Sequence, residues 1–120
     1  MIRAGNCGKD LREARFVMDA TGQSLDELVD TAKRLTYMND VEHSVFRMKD
    51  GTLQMFSGGR DGIKIGSIID EIKTWVGHTH PYSLPPTGPS PGDFAVLDRL
   101  GQKSSWLLEH GEFTKFWRKP

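Results

Sequence analysis

The chain is 120 residues long, with 16 basic and 16 acidic side chains, a single cysteine and 37% apolar residues. That length suits one compact domain rather than two, and a chain of this size can bury a real hydrophobic core without cross-links. Zero net charge argues against a general nucleic-acid or membrane-surface binder, one cysteine excludes an internal disulfide, and no run of about 18 apolar residues exists to span a membrane.

In chain order, residues 1–8 read as an unstructured end. Cys7, in the glycine-rich stretch "RAGNCGKD", is not read as a nucleophile. The N-terminus has no apolar signal-peptide core, and folding needs no oxidising compartment, so a cytoplasmic site of action is expected. "KDLREARFVMDAT" is loosely periodic in Leu11, Ala14, Phe16, Val17 and Met18, and is expected to form a short helix. "TGQ" breaks it.

"SLDELVDTAKRLTYMN" is the strongest predicted helix. Ser24 and Glu27 form the Ser-x-x-Glu capping box. Leu25, Leu28, Val29, Ala32 and Leu35 keep the 3-4 spacing of one buried stripe, and Asn39 is the expected stop. "VEHSVFRM" and "TLQMFSGG", joined through Asp50-Gly51, predict a β-hairpin, because that dipeptide supplies the positive-φ turn. "SGGRDG" lacks the Lys-Ser/Thr of a phosphate loop and reads as a turn. "GIKIGSII" reads as a further extended segment. Ile72 to Val76 should be the core of another strand.

A stiff proline-rich loop follows, then "SPGDFAVLDRLG", a helix capped by Ser90 with Phe94, Leu97 and Leu100 on its apolar side. "SSWLLEHGEFTKFW" should close the chain as two strands around His110-Gly111. The sum is a mixed α/β (α+β) domain with a largely antiparallel sheet and flanking helices. Residues 1–23 read as an N-terminal extension and 24–120 as the core.

The stretch carrying chemistry is "GHTHPYSLPPTGPSPGDF". On an extended segment, alternate residues face the same side, so His78 and His80 can both reach one ion. Asp93, in the first turn of the following helix, can supply an oxygen. Two histidines and one carboxylate leave a fourth tetrahedral position for water, which is the composition of a catalytic zinc site. A carboxylate must then move the proton. Glu42 can lie on a strand beside the histidines, whereas Glu71 precedes them on the same strand and lies too far back. His43 should point to the opposite face, toward solvent, and His110 should be solvated. Trp75 is expected in the core, with Trp106 and Trp117 as core or edge aromatics. Met38, Met48 and Met55 should fill packing gaps.

Glu42, then His-x-His-Pro (His78 to Pro81), then Ser-x-x-Asp (Ser90 to Asp93) resembles the JAMM motif of the JAB/MPN domain, a family of zinc metallopeptidases that includes isopeptidases. The resemblance implies a cytidine-deaminase-like mixed fold with zinc held by His78, His80 and Asp93. It implies Glu42 as general base and acid, and Ser90 as donor to the oxyanion. The family usually places seven residues between the second histidine and the serine. Here there are nine, so a bulge near the site should influence substrate entry. The whole "GHTHP…TGPSPGDFAVLDRLGQKSSWLLEHGEFTKF" string is similar to JAB-type C-terminal domains of bacterial polymorphic toxins, Rhs-type proteins included. That likeness implies a protein or peptide substrate, an immunity protein as partner, and action in a target-cell cytoplasm after export within a larger effector. Neither nucleic acid nor membrane is expected as a partner. The competing readings are a non-catalytic binding module on the same fold and another metal-dependent hydrolase, such as a nuclease.

Overall fold

The structure, a computed structural model, describes Arg3–Ala4 and residues 9–120. Among these residues the chain runs through β1 (Arg3–Ala4), β2 (Leu11–Glu13), β3 (Arg15–Asp19), α1 (Leu25–Asn39), β4 (His43–Met48), β5 (Leu53–Ser57), β6 (Gly62–Lys64) and β7 (Ile72–His80). It ends with α2 (Pro91–Leu100), β8 (Ser104–Glu109) and β9 (Glu112–Trp117). The main sheet has strand order β3-β5-β4-β7-β8-β9, and a small sheet has order β1-β6-β2. Pairing is antiparallel except at β7–β8 and β2–β6, so the fold is α+β with a mostly antiparallel sheet.

Both helices begin where the side chains can satisfy their first N–H groups. Ser24 Oγ accepts from the Glu27 N–H, and Glu27 Oε1 accepts from the Ser24 N–H. Ser90 and Asp93 repeat this box at α2, where Pro91 occupies the first turn, in which its missing N–H costs nothing. α1 ends at Asn39, with Asp40 as its C-cap in the left-handed conformation.

The helices cover opposite faces of the main sheet. Leu28 and Ala32 of α1 pack on Val45, Leu53 and Met55. Val96 and Leu97 of α2 join Phe46, Trp75, Leu107 and Phe116 in the larger cluster. Val45 and Phe46 are sequence neighbours, so strand alternation sends one to each core. A bulge in the β4–β7 pairing, where Val45 faces Gly77 and Phe46 faces Trp75, shifts that alternation along β7. It places Trp75 on the α2 face together with His78 and His80.

Several expectations are corrected. "KDLREARFVMDAT" is not a helix. Its Phe16-Val17-Met18 run pairs with β5 as an edge strand, and the residues expected as an extension thereby supply part of the main sheet. Arg3–Ala4 pair with β6, while Cys7 lies outside the described residues. The strand expected to have its core over Ile72 to Val76 runs on through His80, held by β4 on one side and β8 on the other. Leu25 is 45% exposed, and Met38 is 69% exposed rather than packed; both sit near the ends of α1. His43 is buried, not at the surface, because α1 roofs its face. Its backbone N–H donates to Thr79 Oγ1 (2.9 Å), and its Nδ1 lies 3.1 Å from the Val41 carbonyl and 3.0 Å from Thr36 Oγ1. Burial pushes its pKa down, which keeps the ring neutral within this network.

Candidate metal centre

The register of the sheet assembles the site. Ser44 on β4 faces His78 on β7 in an antiparallel pair. Extending that register by two residues sets Glu42, just before β4, beside His80. Glu42 is seated by backbone on the next turn: its N–H donates to the Gly59 carbonyl, and the Gly58 N–H donates to its own carbonyl, both at 2.9 Å. Ser44 Oγ donates to Glu42 Oε2 at 3.2 Å. Asp93 arrives from the first turn of α2, where Oδ2 also accepts from the Ser90 N–H at 2.9 Å.

His78 Nε2 and His80 Nε2 lie 3.0 Å and 3.4 Å from one oxygen, Asp93 Oδ2. Two ligands each about 2.0–2.1 Å from a tetrahedral zinc are separated by roughly 3.3 Å, so these edges have the right length to share an ion. Neither nitrogen has a hydrogen-bond partner, although the oxygen is close enough for one. The contact is a close approach of two imidazole rings to one carboxylate oxygen. Ligand atoms of Glu42, His78 and His80 all fall within 4.8 Å of one another. Exposure is 1% at Glu42, 4% at His78, 2% at His80 and 0% at Asp93. Buried donor atoms converging around one point fit a cation, and the Glu42-His78-His80 group could hold a metal ion.

The electrostatics are those of a tight, buried cluster. Burial dominates at His78 and lowers its pKa against the pull of Asp93. At His80 burial also pushes down, but the Asp93 and Glu109 carboxylates outweigh it and raise the pKa. Burial alone would raise the Asp93 carboxyl; the two imidazoles outweigh it and hold it well below the usual carboxylate range.

The structure therefore brings Glu42, His78, His80 and Asp93 together. Ser90, buried at the α2 cap beside Asp93, accepts the Asp93 N–H at 3.2 Å. Glu71 stands in a short 3-10 turn at the far end of β7. Trp75 is fully buried and stacks on His78, with centroids 4.4 Å apart at 25°. Trp106 stacks on Phe113 at the sheet edge, and Trp117 is exposed beside Lys115. The exposed His110 contacts the Leu84 carbonyl of the proline-rich loop through Nε2.

One residue of the site escaped the sequence reading. Glu109, at the end of β8, places Oε2 2.6 Å from His80 Nδ1. It pairs across from His80 in the parallel β7–β8 register, and that register is set by a crossover through α2 which no local motif encodes. Glu109 also accepts from the N–H groups of Thr87 (3.2 Å) and Gly88 (2.9 Å).

No protein-family model matches the chain, and neither the curated proteins nor the solved structures yield a match.

Proposed function

We propose that this chain is a zinc-dependent metallopeptidase or isopeptidase of the JAB/MPN type, acting on a protein or peptide and serving as a toxin or effector module. The observation that carries the reading is the convergence of two imidazole Nε2 atoms on Asp93 Oδ2, with Glu42 alongside. His78, His80 and Asp93 would hold the ion. Zinc, when bound, polarises the scissile carbonyl and lowers the pKa of water toward roughly 7.

The chain's own residues supply the rest. Glu42, oriented by the Ser44 hydroxyl, takes the proton of the attacking water and delivers it to the leaving amine. Asp93, whose pKa is depressed, stays ionised throughout and balances the charge of the ion. The Ser90 hydroxyl caps α2 as an acceptor, and its O–H is the group assigned to the developing oxyanion. Burial of all four residues keeps the effective dielectric low, so each interaction is stronger than in water.

A second reading has its own observation. Glu42 lies within 4.8 Å of both histidine ligand atoms, so it could ligate rather than act as base. Four protein ligands would close the site and make this a non-catalytic module with a structural ion. Glu42→Gln separates the two. Zinc retained, with peptidase activity reduced by about 10²- to 10⁴-fold, supports the base. Loss of zinc supports the closed site, and full activity with zinc retained sinks the assignment of Glu42.

A further inference from the structure

We infer that Glu109 is the positioning residue of the centre: it fixes the His80 ring so that Nε2 presents its lone pair to the ion, and it ties that ring to the loop following β7. This rests on the metal reading above and names the part of the chain that makes His80 a competent ligand.

The geometry is asymmetric. A carboxylate has only acceptors to offer, so the 2.6 Å contact at Nδ1 requires the hydrogen to sit on that nitrogen. In the neutral ring, Nε2, on the Asp93 side, is then left bare. His78 has no equivalent: its Nδ1 is buried without a partner. Its ring is instead held by contact, stacked on Trp75 and edge-on to Phe116 at 5.7 Å. One ligand is thus oriented by a hydrogen bond and the other by aromatic packing.

Glu109 itself is well fixed. Its side chain is only 11% exposed, and β8 holds its backbone beside His80. The N–H groups of Thr87 and Gly88 donate to the same carboxylate, one to each oxygen. The loop carrying nine residues between His80 and Ser90 is therefore fastened at its far side to the group that orients the metal ligand. Carboxylate partners of metal-bound histidines change affinity by about 10- to 100-fold when removed.

The test is zinc affinity by competition with a chromophoric chelator, on wild type, Glu109→Ala, Glu109→Gln and the exposed neighbour control Glu112→Ala. Glu109→Ala should bind zinc about 10- to 100-fold more weakly, Glu109→Gln should fall between because its amide oxygen still accepts, and Glu112→Ala should match wild type. In the zinc-loaded protein, the ring Nδ1–H signal of His80 should be visible by NMR in wild type and lost to solvent exchange in Glu109→Ala. If Glu109→Ala does not fold, the near-isosteric Gln variant decides. Wild-type affinity in Glu109→Gln with an unchanged Nδ1–H signal in Glu109→Ala would remove Glu109 from the centre and leave the metal reading standing. Wild type that binds no zinc would overturn both.

Discussion

Acidification should weaken metal binding in two separate steps. A metal ion needs the lone pairs of both His78 and His80, so any proton held there must leave first. The two rings start from the same ordinary pKa of 6.5 and are moved in opposite directions, His78 downward by burial and His80 upward by its two carboxylates. Asp93, held low, adds no proton near neutrality. As pH falls, the proton on His80 is therefore the first competitor, and it appears above pH 6.5. Through that range the affinity should drop tenfold per pH unit, about 1.4 kcal/mol. Only below the lowered pKa of His78 does a second proton compete, and the slope should then steepen to a hundredfold per unit. The measurement is zinc affinity by chelator competition between about pH 5 and 8, corrected for protonation of the chelator. Two solvated histidines would titrate together, so a slope of two from the onset would refute the opposed shifts. A flat profile would remove the histidines from the site altogether.

Three further outcomes follow from the packing around the centre. Trp75→Ala should cost about 3–5 kcal/mol, as expected for a fully buried indole, whereas Trp75→Phe should cost far less. The indole Nε1–H is buried without a partner, so its removal recovers about 1–3 kcal/mol against the lost volume. Urea unfolding checks this, and equal damage from both variants would contradict it. Gly59→Ala should destabilise by about 1–3 kcal/mol, because its Cβ would collide with the Asp10 carbonyl oxygen. Since the Gly59 carbonyl accepts from Glu42, the same variant should lose activity beyond its loss of stability, read by comparing thermal midpoint with turnover. Thr79→Val keeps the shape but strands the buried His43 N–H, and should cost about 1–3 kcal/mol by the same unfolding assay.

What could be read from the sequence was whatever short-range chemistry determines. Ser24 with Glu27 and Ser90 with Asp93 mark their helices because a cap needs only its own first turn. Asp50-Gly51 marks the β4–β5 hairpin for the same reason. The spacing of His78 and His80 and the position of Asp93 lie within one strand–loop–helix passage, so they too were accessible. What was missed depends on distant partners. Phe16-Val17-Met18 becomes a strand because β5 offers an edge, and a short apolar run does not declare its period by itself. Strand alternation says which face His43 takes, not whether that face is covered. Its burial follows from α1 lying over it through Thr36 and Thr79. Glu109 needed the parallel register with β7, which only the crossover through α2 establishes.

The centre draws on the start of β4, the end of β7, the first turn of α2 and, through Glu109, the end of β8. A cation seated there would clip together segments that lie far apart along the chain. Because the unfolded chain does not assemble the site, the free energy of binding adds directly to the free energy of folding. This sequence, with its single cysteine, has no internal disulfide to play that part. A bound ion would therefore serve the protein twice, and chelation would loosen the whole domain as well as silence the site.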